Sequence, residues 1–320
     1  MTSNKRLAAY ACMMLMCGFW SAASAAAFPE RPVRIVLGLG SDLMSRVLAQ
    51  KLSATWGHSV IVDQRPGGSG TIATDTVAKS APDGYNWLIS AAGQTISAGF
   101  EPDKPSRLDA EFASVTMLVS APYFVLVHPS VPAKSIAELI DLARAKPGTL
   151  NYATSGIGSA PHMATVLLTT MAKVNLVHVP YKSSAAGMND LLGGHMQISF
   201  QFAPVSIPLV KSGRLKSLGV TSAQRSALAP DSPTIAESGF PGYEVIGWQG
   251  IHVPKGTPRA LIAQINKDVV AVLKQPDVKE RMFGAGLELI GNTPTEFDAF
   301  VKKDTARWTQ LIKQAGLKLE

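Results

Sequence analysis

Short apolar, β-branched runs alternate along this chain with longer stretches of helical periodicity. The first set is "VRIVL" (33 to 37), a helix over 41 to 56, "VIVDQ" (60 to 64), a helix over 70 to 79 and "NWLISA" (86 to 91). Strands of that length separated by amphipathic helices predict βαβ units and a largely parallel sheet. A second set begins at "YFVLVHPS" (123 to 130). It continues through a helix over 135 to 146 with Ser135 and Glu138 as a capping box, "LNYAT" (150 to 154), a helix from about Ser159 and "NLVHVPY" (175 to 181). A helix over 184 to 192, "QISFQF" (197 to 202) and "LKSLGVTS" (215 to 222) complete it. The architecture repeats although the sequence does not, so two α/β lobes are expected. After "EVIGWQGIHVP" (244 to 254) the tail turns helical. One helix spans about 258 to 273, and another opens at Thr293 with Pro294 in its first position and Glu296 closing a capping box, running to about Ala315. Phe297, Phe300, Val301, Trp308 and Leu311 form an apolar stripe on that last helix, which reads as packing.

Composition changes this picture mainly at the N-terminus of the 320 residues. Lys5 and Arg6 precede an apolar run from Leu7 to Trp20, and Ser24 to Ala27 offer an Ala-x-Ala cleavage site, so residues 1–27 read as a secretory signal. Both cysteines, Cys12 and Cys17, fall inside it, and the exported chain would carry no disulfide, thiolate nucleophile or cysteine metal site. Taking Lys5 and Arg6 from the 30 basic residues leaves 28 against 23 acidic ones, a net charge of +5. That charge is spread without basic runs, which argues against nucleic-acid or membrane-surface binding. No later segment has 18 uninterrupted apolar residues, so the chain is not expected to span a membrane once the signal is removed.

Three glycine-containing turns lead from strand to helix: "GLGSD" (38 to 42), "PGGSGTIA" (66 to 73) and "TSGIGSAPH" (154 to 162). The first N–H groups of a helix have no internal partner and its dipole favours negative charge there, so each turn is a candidate anion seat. Thr154, Ser155 and Ser159 add hydroxyls to the third. Read singly, each turn is as readily a plain connection with a serine cap. "GSGTIA" matches half of a dinucleotide fingerprint, yet no acidic residue ends the next strand to hold a ribose. The six histidines show no His-x-x-x-His spacing, and no Gly-x-Ser-x-Gly elbow is present, so nothing makes a positive case for an enzyme, a metal or a cofactor. His162 reads as packing or capping.

From "FPERPVRIVLG" through "VIVDQRPGGSGTIA", "VAKSAPDGY", "KPGTLNYATSGIGSAPH" and "HVPYKSSAAGMNDLLGGHMQISF" to "GNTPTEFDAFVKKDTARWTQLIKQAGLK", the chain resembles the tripartite tricarboxylate transporter receptor family, the Bug-type periplasmic solute receptors. The resemblance implies an α/β, type II periplasmic binding-protein fold: two lobes, joined by crossing strands near Tyr123 to His128 and Glu244 to Gln249, with a ligand cleft between them. Lobe one would take residues 28–125 and 247–320, and lobe two 126–246. The implied function is capture of a small organic anion, a carboxylate, by hinge closure in the periplasm, and its delivery to cognate membrane transporter subunits. By motif, the lobe-two anion loop is Ser155, Gly156, Gly158, Ser159 and Ala160. In lobe one the loop after the third strand offers Gln94 and Thr95, the first strand-to-helix loop offers Gly40 and Ser41, and Tyr181 and Lys182 lie near the cleft by analogy. The first loop is about four residues shorter than the family pattern, and Gln201-Phe202 stand where an acidic or amide residue is common. A sensor or interaction protein with altered ligand binding is the alternative the short loop raises; an exported enzyme is the remoter one.

Overall fold

A computed structural model of the chain describes residues 28–38, 42–65, 70–227 and 229–318. The proposed signal over 1–27, the glycine pair of the second turn and the candidate residues Gly40 and Ser41 lie outside the described residues.

The alternating pattern folds as read. Strand β1 (Val33–Leu37) is followed by helix α1 (Leu43–Trp56), β2 (Val60–Gln64), α2 (Thr71–Ala78) and β3 (Asn86–Ala91). β1 lies between β2 and β3 and pairs parallel with both, as a βαβ crossover requires. One segment departs from expectation. "AAGQT" is not a loop, because helix α3 (Ala92–Gly99) starts directly at the end of β3. Its glycines disfavour a helix, but tertiary packing holds one: a Cβ at Gly99 would meet the Thr309 nitrogen at 2.9 Å, so the last helix presses against this face.

A short helix, α4 (Arg107–Glu111), leads into β4 (Phe112–Val127), which is far longer than the strand expected from 123. Its first part escapes a period-two reading because 15 of its 16 residues are buried, inward- and outward-facing alike. Then follow α5 (Ile136–Ala145), β5 (Asn151–Thr154), α6 (Ala160–Ala172), β6 (Val177–Pro180), α7 (Ser184–Leu192), β7 (Ile198–Phe202), α8 (Ala203–Lys211) and β8 (Lys216–Val220). The chain ends with β9 (Ile246–Pro254), α9 (Arg259–Leu273), α10 (Pro276–Gly284), β10 (Glu288–Leu289) and α11 (Pro294–Ala315). The Ser135 hydroxyl caps α5 by accepting from the Glu138 N–H, while the Glu138 carboxylate takes the Lys134 N–H. On α11 the Thr293–Glu296 capping box forms in both directions.

The strands run in the order β2-β1-β3-β9-β4-β7-β5-β6, with β8 and β10 also on β4. β4 belongs to both halves. Residues Phe112 to Pro122 pair antiparallel with β9, and Tyr123 to Val127 pair with β7 and β8. The change of partner falls at Pro122, which has no N–H to give to a ladder; the next N–H, of Tyr123, goes to the Thr221 hydroxyl at 2.8 Å. Helix α9 packs on α1, and α11 packs on α3 and β4, so the tail joins the half made by the N-terminal strands. Phe297, Val301, Trp308 and Leu311 of the stripe on α11 are buried. Among the described residues no helix is long and apolar enough to cross a membrane.

Candidate functional site

A cavity of about 670 Å³ opens where the two halves of the sheet meet. Its floor is β4 and β9 at the change of partners, with Tyr123, Gly247, Trp248 and Gln249. Gly247 is needed for that floor to close, since a Cβ there would lie 2.4 Å from the Phe202 ring and 2.9 Å from the Tyr123 hydroxyl. Trp248 is held from behind: its indole N–H donates to the buried Asp304 carboxylate at 3.2 Å, on α11. Burial drives the Tyr123 phenol well above its ordinary range, so it stays a neutral donor.

Helix N-termini make the walls. Thr71 of α2, Ala92 of α3, Ser159 and Ala160 of α6, Ser184 of α7 and Phe202 at the start of α8 all line the cavity. Residues at the N-terminal ends of five helices thus border one space, where helix dipoles favour negative charge.

The loop before α6 is built by its own side chains. The Thr154 hydroxyl oxygen accepts the Gly156 N–H at 3.1 Å, and His162 Nδ1 accepts the Gly158 N–H at 3.2 Å. The Ser159 hydroxyl donates to the Gly156 carbonyl at 2.7 Å and accepts from the His162 N–H. Gly156 and Gly158 sit at φ of 116° and 74°, where a side chain is strained. These bonds leave the N–H groups of Ser155, Ile157 and Ala160, with the Ser155 hydroxyl, as the loop's remaining donors. Behind the loop His162 packs against His178 with ring centroids 4.3 Å apart, and Tyr152 stacks on His178 at 4.9 Å. Burial, with a smaller contribution from His178, lowers His162 to about 4; burial also lowers His178. His162 is therefore neutral near pH 7, which its role as an acceptor requires.

The α3 terminus is simpler. Gln94 Oε1 accepts the Ala91 N–H at 2.7 Å, and Thr95, fully buried, donates to Asp304 Oδ2 at 2.7 Å. The charged residues on the lining, Glu101, Lys104 and Arg107, come from the segment after α3. Both cations are paired. Lys104 bonds Glu101 at 3.0 Å, and Arg107 bonds Asp75 and Glu111, each at 2.7 Å, with the Glu111 hydrogen bond first among the causes that raise its pKa.

Of the residues expected from sequence, Ser155, Gly158, Ser159, Ala160 and Gln94 come together on the cavity lining. Gly156 shapes the loop without lining it. Thr95 points its hydroxyl into the protein, toward Asp304 and the Ala92 carbonyl. Tyr181 also stays off the lining, with its hydroxyl donating to Asp190 at 2.5 Å; that bond pushes its pKa up to about 12. Lys182 is exposed. The resemblance implied crossing strands at the floor, but none of the floor side chains was singled out as a site residue, because they come from two strands about 120 positions apart. The one local signal was Gly247 inside an apolar strand, a mark of close approach.

Two lobes about shared strands, with a largely apolar cavity at the junction that carries hydroxyl and amide groups, define a solute-binding protein of the periplasmic type. The family is shown by its model: residues 44–317 match the "Tripartite tricarboxylate transporter family receptor", and the chain belongs to that family. Protein BugT of Bordetella pertussis is 31% identical over the full length of both chains. The solved structure of R. palustris Rpa4515 with adipate superimposes with a TM-score of 0.79 at 34% identity, covering 91% of this chain and 99% of that one. MatC from Rhodopseudomonas palustris with bound malate gives a TM-score of 0.79 at 26% identity, over 89% and 100%.

Proposed function

We propose that this protein is a periplasmic receptor that closes its two lobes on a small organic carboxylate and presents it to a membrane transporter. The observation that carries the reading is the convergence of five helix N-termini on a cavity whose own cations are already paired. A carboxylate placed there meets N–H and hydroxyl donors without displacing a salt bridge. Each N-terminus is worth about 0.3–1 kcal/mol to an anion, so several together suffice for micromolar capture when added to hydrogen bonds. Such a site is neutralised by dipoles, and it releases its ligand when the lobes part and the dipoles separate. The family membership and the two relatives solved with adipate and malate support the ligand class. Residues 1–27 would direct export, and Ser155, Gly158, Ser159, Ala160 and Gln94 would hold the anion, with Gly40 and Ser41 of the first loop as further candidates. Residues 28–125 with 247–320, and 126–246, are the proposed lobes.

Isothermal titration against a panel of mono-, di- and tricarboxylates, with the matching amides as controls, tests the reading. At least one acid should bind with micromolar affinity and lose about tenfold in Ser155→Ala. A folded protein that ignores the entire panel would overturn it.

A further inference from the structure

The donors of the cavity suit a carboxylate, but one point on its lining has the opposite polarity. Ser199, wholly buried on β7, lies with its hydroxyl 2.9 Å from the Ala153 carbonyl. A carbonyl only accepts, so the single hydroxyl proton of Ser199 is spent there. Gln201 places one end of its amide 2.8 Å from the Ser199 oxygen. That oxygen has only lone pairs left, which fixes the amide with Nε2 toward Ser199 and Oε1 the other way. Oε1 faces the Ser184 hydroxyl at 2.9 Å. Ser184 must then be the donor, and its proton too is committed. Ser184 and Gln201 both line the cavity, and Ser184 is exposed there in the first position of α7.

The chain Ala153–Ser199–Gln201–Ser184 therefore delivers an oxygen that can accept a hydrogen bond from a ligand and cannot donate one. We propose that Ser184 selects, among carboxylates, those that also carry a hydrogen-bond donor such as a hydroxyl or an amine. This rests on the carboxylate reading above and adds a specificity-determining residue to it. Gln201 acts through Ser184 as a positioning residue; its buried amide has no other way to satisfy both neighbours.

Matched acids separate the two claims. Binding of succinate against malate, glutarate against 2-hydroxyglutarate and adipate against 2-hydroxyadipate is measured by calorimetry on the wild-type protein and on Ser184→Ala. In the wild type the hydroxy acid of at least one pair should bind about tenfold more tightly than its parent. In Ser184→Ala that preference should collapse while the parent acid keeps its affinity within about threefold. The methyl ether of the preferred hydroxy acid, an acceptor without a donor, should bind no better than the parent. Equal affinities within every pair, or a preference that survives Ser184→Ala, would overturn the proposal and leave the carboxylate reading standing. If neither parents nor hydroxy acids of any pair bind, the proposal falls, and the carboxylate reading falls with it only when the wider panel also fails to bind.

Discussion

Two of the helix N-termini around the cavity, those of α6 and α3, reach the same end by different means. At α6 the chain leaves β5 through a glycine loop whose backbone donors are sorted by Thr154, Ser159 and His162. At α3 no loop intervenes, and the first turn is locked by Gln94 in front and by Thr95 on Asp304 behind. The first is a local construction, complete within nine residues. The second is long-range, since Asp304 ties α3, the Trp248 floor and α11 together. A locally built jaw therefore faces one anchored across the fold, so a substitution in the first acts within its own loop while one at Asp304 reaches three elements at once.

Breaking the anchored jaw should have the largest effect. Asp304→Ala leaves the Trp248 indole N–H buried without an acceptor and the Thr95 hydroxyl with the Ala92 carbonyl alone, and is expected to cost about 3 kcal/mol in urea denaturation, with loss of ligand binding. Acid should act on the α6 jaw next. His162 has its pKa lowered to about 4, so its neutral form contributes stability that is fully present above about pH 6.5 and is lost as pH falls through 4. The buried His252, lowered to about 3 by burial, adds the same trend further down. The slope is at most about 1.4 kcal/mol per pH unit for each histidine, and thermal melts of wild type and His162→Asn between pH 7 and 4 should show the variant losing stability less steeply. Gly156→Ala meets open space, so its expected cost of about 1–2 kcal/mol comes from φ alone and should appear in stability and affinity together. Gln94→Ala removes one cap from α3 and should cost about 1 kcal/mol in denaturation. Lys104→Met, which breaks an exposed ion pair at the cavity rim, should move stability by less than about 0.5 kcal/mol.

The same contrast explains what could be read in advance. The α6 loop was legible because glycines, hydroxyls and a cap lie side by side in "TSGIGSAPH". The apolar stripe and the capping box of α11 were legible for the same reason. Helix α3 was not, because "AGQTISAG" has weak intrinsic preference and is helical through contact with a helix two hundred residues away. Helix α8 hides behind Pro204 and Pro208: the first sits in the opening turn, where no N–H is needed, and only the second breaks the pattern. The Ser184–Gln201–Ser199 relay is invisible in sequence, since proton direction depends on which carbonyl Ser199 meets across the sheet.

The place of β9 between β3 and β4 has a kinetic consequence. Until residues 246–254 are available, the two strands that flank it have no common neighbour and each keeps a row of unpaired backbone groups. The strands from β4 to β8 can pair among themselves, whereas the N-terminal half must wait for the carboxyl-terminal quarter of the polypeptide. Folding should therefore be slow and late on that side. A chain cut before Ile246 should behave as a protease-sensitive, aggregation-prone fragment with a sound half and an open one.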